Sequence, residues 1–288
     1  MRTGEVIKYI RESKKLKSKD VYMDILSRPT ISRFEKGVSD TTTEKFFLIL
    51  DNLNISLDEF YFIYNKSQTS ESYNFLILYS DYFYSNNLEA LKKLKLQMEQ
   101  QYVLTGQVKF SHYSLITELT ICRITGQKMR KEALEQIKNY LFNCEDWTYY
   151  EIVLFTNTLD FFSKETIGVL YKRTKKKLKY FSNLRIHNNE VFVLISNILV
   201  TSIENNDLES CKYFYNELIK SMDSVNNKMY EKTMIIFFGE LTKLIENPNL
   251  KIDKINEIIG IFDLLYMPGK SNQCRNLYEL VKKNNYLW

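Results

Sequence analysis

One segment carries most of the structural information in this chain: Leu26-Ser27-Arg28-Pro29-Thr30-Ile31-Ser32-Arg33-Phe34-Glu35-Lys36-Gly37. Ser27 is a residue type that begins helices, and Pro29 suits a first helical turn. Ile31 and Phe34 are three positions apart, so both point to the same side and indicate a buried face. Gly37 is typical of the residue that follows a last helical turn. The segment therefore predicts a short amphipathic helix with defined ends.

The outer side of this predicted helix is polar and basic. Hydroxyl and guanidinium groups on such a side can reach base edges and phosphates in a major groove. We therefore predict the recognition helix of a helix-turn-helix, with double-stranded DNA as the partner. The predicted DNA contacts are Lys19, Ser27, Arg28, Thr30, Ser32, Arg33 and Lys36, with Lys19 and Lys36 on phosphates.

The basic residues cluster near this helix. Residues 1–36 contain ten Lys or Arg and five Asp or Glu, whereas residues 37–66 contain two and five. The net charge of the whole chain is only +5. It is the local excess, and not the total charge, that indicates binding to a polyanion.

The composition predicts an all-α protein without a cofactor or a metal. Three prolines and eight glycines among 288 residues leave few turn-forming residues, so we expect long helices with short connections. The four cysteines (Cys122, Cys144, Cys211 and Cys274) lack the spacing of zinc ligands. Two histidines and no glycine-rich phosphate loop do not suggest a catalytic site. We therefore expect no enzyme activity.

The chain carries no sign of export or membrane insertion. No uncharged stretch approaches the roughly 20 residues that cross a bilayer, and the sequence begins directly with an amphipathic helix. We therefore expect a cytoplasmic protein with no membrane partner and with reduced cysteines.

Residues 1–65 are predicted to form a separate domain of five short helices. Its second half, Leu50-Asp51-Asn52-Leu53-Asn54-Ile55-Ser56-Leu57-Asp58-Glu59-Phe60, contains a helix end at Asn54 and a capping box between Ser56 and Glu59. A polar stretch without apolar periodicity follows. Residues 66–72 are therefore predicted to be a linker.

The recognition-helix segment and this capped segment together resemble the lambda-repressor-like, or Xre-type, DNA-binding domain. The resemblance implies that Glu35 has a structural role and ties the recognition helix to its neighbours. Single domains of this size make few contacts with DNA. The mechanism therefore implies a homodimer that reads two half-sites about one DNA turn apart.

Residues 73–288 are predicted to form an array of antiparallel helical hairpins. We expect helices at 73–86, 88–103, 111–126, 130–143, 148–162, 165–182, 188–204, 207–223, 228–246, 252–266 and 270–285. Two breaks are alike, Asn86-Asn87-Leu88-Glu89-Ala90 and Asn205-Asn206-Asp207-Leu208-Glu209-Ser210, because each is a turn followed by an acidic first helical turn. The pattern predicts a tetratricopeptide-like solenoid of five hairpins and a closing helix, with a concave inner surface.

An Xre-type domain joined to a helical array of this length resembles the Rgg-type transcriptional regulators (Rgg, GadR and MutR), in the peptide-sensing group that also contains Rap, NprR, PlcR and PrgX. The two N-terminal segments carry the resemblance, and Trp147-Thr148-Tyr149-Tyr150-Glu151 with Leu154-Phe155-Thr156-Asn157 also fits the family's array. The resemblance implies a cytoplasmic homodimer of a low-GC Gram-positive bacterium that binds a short imported signalling peptide in quorum sensing. Some Rgg-type dimers are bridged by a Cys in the DNA-binding domain, but no Cys precedes Cys122 here, which excludes that link.

The implied ligand suggests which residues bind it. An extended peptide exposes backbone N–H and C=O groups that Asn side chains can pair, and Arg can bind a carboxylate in bidentate fashion. If the first helix of each hairpin faces inward, the fifth, seventh and ninth helices of the array line the groove. The predicted peptide-binding residues are then Asn157, Phe161, Arg185, Asn189, Asn197, Tyr230 and Phe238. Each asparagine has the alternative role of a turn, a cap or a paired buried amide.

Two other functions stay open at this point. In the first, the protein is an Xre-type repressor without a peptide ligand, and its array serves dimerisation or a protein partner. A groove filled by the protein's own side chains would favour that function. In the second, the array is an adaptor that inhibits a response regulator, as in the Rap group. The arginines expected on the outer side of the recognition helix argue against the adaptor.

Overall fold

The computed structural model describes residues 2–65, 71–128, 130–181, 188–222, 228–250 and 253–285, and every regular element in these ranges is a helix. The predicted all-α class is therefore confirmed. The chain divides into two compact units, Met1–Leu78 and Tyr79–Trp288. Of the predicted linker, residues 66–70 lie outside the described ranges, and a helix already begins at Glu71.

The first unit contains the five short helices that the sequence predicts. They are α1 (Thr3–Ser13), α2 (Ser18–Tyr22), α3 (Arg28–Glu35), α4 (Thr43–Asn52) and α5 (Leu57–Tyr64). One apolar face of each helix packs into a common core, as the helical spacing of the apolar residues requires. The buried core residues are Val6, Ile7, Ile10, Val21, Tyr22, Phe34, Ile49, Leu50, Leu53 and Phe60.

The predicted helix ends in this unit are present. Asn54 follows α4 with a left-handed φ of 51°, a conformation that Asn tolerates better than most residues. Ser56 Oγ accepts from the Glu59 backbone N–H at 3.2 Å, and Glu59 Oε2 accepts from the Ser56 backbone N–H at 2.7 Å. These bonds form the predicted capping box at the start of α5, and they lower the pKa of Glu59.

In the described residues from 71 onward, eleven helices correspond in order to the eleven predicted ones. They are α6 (Glu71–Tyr84), α7 (Leu88–Thr105), α8 (Val108–Thr125), α9 (Lys131–Asn143), α10 (Tyr149–Thr156), α11 (Lys164–Phe181), α12 (Asn188–Glu204), α13 (Leu208–Lys220), α14 (Met229–Glu246), α15 (Lys254–Leu264) and α16 (Pro268–Asn285). None of the described helices is both long enough and apolar enough to span a bilayer.

One predicted helix is shorter than expected. The helix predicted at 148–162 ends at Thr156, and a 3-10 turn at Leu159–Phe161 follows it. The Asn157 amide donates to the Val153 carbonyl at 2.8 Å, and the Thr158 hydroxyl donates to the Leu154 carbonyl at 2.9 Å. Side chains that bond back to the last helical carbonyls satisfy those groups without a further helical turn. The prediction of a continuous helix was therefore wrong at this point.

The two similar breaks have the same geometry. Asn86 and Asn206 have left-handed φ values of 53° and 52°. The next residue in each case caps the following helix: Asn87 Oδ1 accepts from the Ala90 N–H at 3.1 Å, and Asp207 Oδ1 accepts from a backbone N–H at 3.2 Å. The turn followed by a new helix is confirmed at both places.

The helices of the second unit alternate between the two sides of the array. The helix α12 packs against α10, α14 and α16, which are the alternate helices on its own side. The most extensive packing between consecutive helices is of α7 against α8, so the predicted pairing of α6 with α7 is not the dominant hairpin. The connection around Gly106, with a φ of 68°, is short enough to fold α8 back onto α7.

Candidate nucleic-acid interface and ligand cavity

The outward side of α3 is the one that carries most of the predicted DNA contacts. Phe34 is fully buried on the inner side, whereas Arg28, Ser32, Arg33 and Lys36 are exposed. Because residues four apart lie on one face of a helix, these exposed residues form a continuous stripe that covers less than half of the helix circumference. The predicted contact Lys19 is exposed on α2.

The basic residues of the first unit differ in whether they bond to the fold. Arg2, Arg11 and Lys14 form hydrogen bonds within the unit, although Arg2 and Lys14 are exposed. Arg2 donates to the Gly37 carbonyl, and Lys14 Nζ donates to the Leu53 carbonyl at 2.7 Å, so each of them binds a carbonyl near a helix end. Within the ranges that the structure describes, no hydrogen bond or ion pair involves the side chains of Lys19, Arg28, Arg33 and Lys36. These four side chains are therefore available to an external anion.

Ser27 and Thr30 differ from their predicted positions in one respect. Ser27 stands at the N-cap position of α3, but its hydroxyl pairs with the Thr30 hydroxyl at 2.8 Å instead of accepting a backbone N–H. Thr30 is half-buried and lies at the edge of the exposed stripe, so its placement on the outer side was only partly right. Pro29 is in the first turn, as predicted.

Glu35 binds the recognition helix α3 to its neighbours from the inner side. Its carboxylate accepts from Arg11 Nε at 2.7 Å and from Arg11 Nη2 at 3.0 Å, and it also accepts from the Tyr22 hydroxyl at 2.6 Å. The Arg11 and Glu35 side chains are each 11% exposed. Burial first, and then the bond to Glu35, raises the pKa of Tyr22. The structural role implied for Glu35 is confirmed.

A close backbone approach also fixes α3. Gly4 lies in α1 directly against the carbonyl of Phe34, and a Cβ at this position would overlap that carbonyl. Gly4 was not among the residues predicted to position α3. Its signal is a glycine inside an amphipathic helix, where glycine costs stability unless another backbone passes close by.

The second unit contains a partly open cavity of about 680 Å³ on one side of the array. Alternate helices line it, because α6, α8, α12, α14 and α16 contribute side chains together with the turn after α10. The first helix of each predicted hairpin therefore faces this cavity, which is the condition on which the peptide-binding residues were chosen. The volume lies within the range of small-ligand sites, which is about 300–1,000 Å³.

Five of the seven residues predicted to bind a peptide line this cavity: Asn157, Phe161, Asn197, Tyr230 and Phe238. Asn157 is the C-cap of α10 and not a mid-helix residue, and its amide nitrogen is engaged with Val153. Phe161 belongs to the 3-10 turn. Arg185 and the side chain of Asn189 lie outside the described part of the chain.

Charged residues that were not predicted from the sequence lie at the two ends of the cavity. At one end Arg123 pairs with Asp160, and Thr201 Oγ1 donates to Asp160 Oδ1 at 3.5 Å. Glu204 lines the same end. Desolvation by the surrounding walls, and then the nearby Asp160, raise the pKa of Glu204, while Arg123 opposes the shift.

The opposite end of the cavity carries Lys270. Its Nζ lies 5.6 Å from the centroid of the Tyr230 ring, at cation–π distance, and the structure gives it no carboxylate partner among the described residues. The sequence does contain a signal for this residue. Lys270 is four positions before the buried Cys274 and seven before the buried Leu277, so a cation stands on the apolar face of α16.

Polar groups also lie between the two ends. Asn197 is exposed to the cavity from the middle of α12. The adjacent Ser196 is 8% exposed, and its hydroxyl has no hydrogen-bond partner in the described structure. A buried hydroxyl of this kind is costly unless a ligand or water completes it. At the wall, the Tyr79 hydroxyl bonds to Thr120 at 2.7 Å, and burial raises the pKa of Tyr79 to about 12, so it stays neutral.

Comparison with protein families decides the classification. Residues 88–279 match the family described as "HTH-type transcriptional regulator Rgg, C-terminal domain", and residues 7–60 match a helix-turn-helix family. The chain belongs to the Rgg family of transcriptional regulators. In this Rgg-family protein the helix-turn-helix match contains every predicted DNA contact, and the C-terminal match contains most of the cavity wall.

Solved structures confirm the fold of this Rgg-family chain. A proposed transcriptional regulator from Listeria monocytogenes EGD-e has a TM-score of 0.85 at 22% identity, with 98% of each chain covered. The SHP pheromone receptor Rgg2 of Streptococcus dysgalactiae has a TM-score of 0.72 at 22% identity, with 98% of this chain and 100% of that chain covered. A bacterial peptide pheromone/receptor complex has a TM-score of 0.66 at 17% identity, covering 98% and 97%.

Proposed function

We propose that this Rgg-family regulator binds a specific duplex site as a cytoplasmic homodimer, and that a short signalling peptide in the cavity controls this binding. One observation carries the proposal for DNA: the exposed stripe of α3 keeps Arg28 and Arg33 free of internal partners, while Glu35 holds the helix from the other side. The Glu35 carboxylate thus positions α3, while the guanidinium groups of Arg28 and Arg33 remain exposed on the outer side.

The proposed contacts follow from the chemistry of the side chains. Arg28 and Arg33 can each donate two hydrogen bonds to a guanine edge, and Ser32 can bond to a base or a phosphate. Lys19 and Lys36 act as point charges on the sugar-phosphate backbone, with Ser27 beside them. A dimer would present two such helices to half-sites about 34 Å apart.

The proposal for a peptide rests on the cavity. Its wall combines aromatic and aliphatic side chains with amide, hydroxyl and charged groups, which suits an extended chain that has apolar side chains and backbone groups in need of partners. Two structural neighbours are a pheromone receptor and a peptide pheromone/receptor complex. An open space of about 680 Å³ favours the peptide over the first alternative, a repressor whose groove its own side chains fill. The exposed arginines likewise favour a DNA-binding regulator over an adaptor.

Footprinting and fluorescence polarisation test this function. The full-length protein is titrated onto fragments taken from upstream of its own and neighbouring genes, and onto scrambled fragments of the same composition. We expect two protected half-sites about one turn apart and an affinity that falls steeply with salt. Absence of binding to every fragment would contradict the proposal.

The control of DNA binding by a peptide is measured in a separate experiment. A neighbouring gene that encodes about 20–30 residues with an apolar tail supplies the first peptide to add, because the resemblance implies a short imported signalling peptide. We expect the peptide to change DNA affinity, since a ligand shifts an equilibrium between two states only if it binds them unequally. If the peptide neither binds directly nor changes DNA affinity, the first alternative is favoured, in which the protein is a repressor that has no peptide ligand.

A further inference from the structure

The cavity has a defined direction, because its two ends are separated along a single helix. Phe192 and Glu204 both line it and are 12 residues apart in α12. At about 1.5 Å per residue this distance is about 18 Å. An extended peptide advances about 3.3 Å per residue, so five or six residues span it.

Ring contacts define the first end. The Phe192 and Tyr230 rings are 6.4 Å apart, and Lys270 lies over the Tyr230 ring. Among the described residues that line the cavity, Lys270 is the charged one at this end. Glu190 and Glu231, in the first turns of α12 and α14, do not line the cavity: the Tyr149 hydroxyl donates to Glu190 at 3.5 Å, and Glu231 pairs with Lys228 at 4.0 Å. This end, which we call the lysine end, therefore presents one positive charge to the cavity.

The second end carries the opposite sign. It contains two carboxylates, Asp160 and Glu204, and one cation, Arg123, which is already paired with Asp160. Thr201, one helical turn before Glu204, also contacts Asp160 and places these groups together. We call this the carboxylate end, and its net charge is −1 when both acids are ionised.

The direction of the lining helices adds to this difference. Phe192, Tyr230 and Lys270 all stand in or near the first turns of α12, α14 and α16, whereas Glu204 is the last residue of α12. The helix macrodipoles therefore place partial positive charge at the lysine end and partial negative charge at the carboxylate end. The charges of the side chains that line the cavity and the helix dipoles have the same sign at each end.

Groups between the ends fit a peptide backbone. The Asn197 amide offers both a donor and an acceptor, and the buried Ser196 hydroxyl lacks a partner. Both are near the midpoint between Phe192 and Glu204. They can bind main-chain groups of a ligand whatever its side chains are.

We propose that the cavity binds a peptide with a free carboxyl terminus, and that the peptide lies antiparallel to α12, with its carboxylate at Lys270 and its ammonium group at Asp160 and Glu204. This inference rests on the proposed peptide function and specifies its ligand. The reverse orientation would place a carboxylate beside two acids and an ammonium group beside Lys270. Both contacts would then be repulsive.

End-group chemistry tests the orientation in the full-length protein. The probes are three synthetic pools of seven-residue peptides drawn from Ile, Leu, Val, Phe, Trp, Ser and Gly, with free ends, with a C-terminal amide or with an N-terminal acetyl group. Affinity-selection mass spectrometry compares each sequence across the pools. We expect amidation to weaken binding about tenfold, because it removes a charge-assisted hydrogen bond.

Variants identify the residues that recognise the two end groups of the peptide. In Lys270→Met the preference for the free acid should fall to less than about twofold, while Lys270→Arg should keep it. Lys283→Met, on the exposed side of α16, is the matched control and should behave like the wild type. Glu204→Gln should reduce the preference for a free amine over its acetylated counterpart without changing the preference for the acid.

Photo-crosslinking shows directly in which direction the peptide lies along α12. A benzoylphenylalanine at the last position of the tightest peptide should crosslink to α14 or α16 near Tyr230 and Lys270, and at the first position to the segment around Asp160. The opposite crosslinks, or an amide that binds as well as the acid, would overturn the orientation while leaving peptide binding intact. If no member of any pool binds, the peptide function itself fails and the orientation fails with it.

Discussion

The recognition helix α3 and the cavity of the second unit are assembled in different ways. All seven predicted DNA contacts lie within one stretch, Lys19 to Lys36, whereas the cavity wall takes residues from Tyr79 to Leu280. The first surface is carried by adjacent helices, so its side chains are arranged by local helix geometry. The second exists only after distant helices pack. A residue in α3 can therefore be assigned from its neighbours in sequence, but a residue in the cavity cannot.

The largest expected effect tests how α3 is held. Glu35→Ala removes the acceptor of Arg11 and Tyr22, and it leaves the largely buried Arg11 cation with only the Leu16 carbonyl and the exposed Glu12. We expect the first unit to lose about 3–5 kcal/mol of stability, and DNA binding with it. Hydrogen exchange at the amides of α1 and α3 measures this loss. The exposed neighbour Lys36→Ala is the control and should leave exchange unchanged.

The second effect tests whether the peptide occupies this cavity. Asn197→Trp places a large ring in the middle of the space and should lower peptide affinity at least about 30-fold, which is about 2 kcal/mol. DNA affinity of the ligand-free protein should stay within about twofold of the wild type. If the variant still binds peptide with wild-type affinity, the ligand does not occupy this cavity.

The third effect concerns base recognition. Arg33→Ala should cost about 1–3 kcal/mol on the specific site and little on other DNA, because a bidentate contact to a base edge discriminates between sequences. Fluorescence polarisation with the operator and with single-base variants of it gives the discrimination. An equal loss on all sequences would reclassify Arg33 as a phosphate contact.

A smaller effect separates phosphate contacts from base contacts. Lys19→Ala should weaken binding to every duplex by a similar factor and reduce the dependence of log K on log salt concentration by about one unit. Titrations at several salt concentrations measure the slope. A wild-type slope in this variant would show that Lys19 does not touch the backbone.

The smallest effect sharpens the role of one cavity residue. The Asn157 amide already donates to Val153, so Asn157→Ala should cost about 1 kcal/mol of stability through the end of α10. Its effect on peptide affinity should be within about twofold. A tenfold loss of affinity without a loss of stability would instead make Asn157 a direct ligand.

Much of the fold was predictable because its signals are local. The capping box at Ser56 and the left-handed turns at Asn86 and Asn206 depend on a few adjacent residues, and each is present. The exposed arginines of α3 follow from the same helical spacing. The early end of α10 was missed because its threonine and asparagine side chains bond to helical carbonyls, a competition that apolar periodicity does not record.

The candidate cavity was predictable only in part. Asn197, Tyr230 and Phe238 line it from inward-facing helices, and Asn157 and Phe161 line it from the segment that follows α10. Lys270 and Arg123 were absent from the prediction, although Lys270 shares the apolar face of α16 with Cys274 and Leu277. Which helices meet across the space depends on long-range packing. Gly4 was missed for the same reason, since its requirement comes from the backbone of α3, 30 residues further along the chain.

The amino-acid sequence alone determined the helices, their caps, the basic outer side of α3 and the resemblance to Rgg regulators, because each of these depends on residues within a few turns of one another. Only the tertiary structure decided which cations are free and which are held, and which charges stand at opposite ends of the cavity. Those properties depend on the distance between groups that the chain separates by tens or hundreds of residues, and electrostatic interaction depends on that distance.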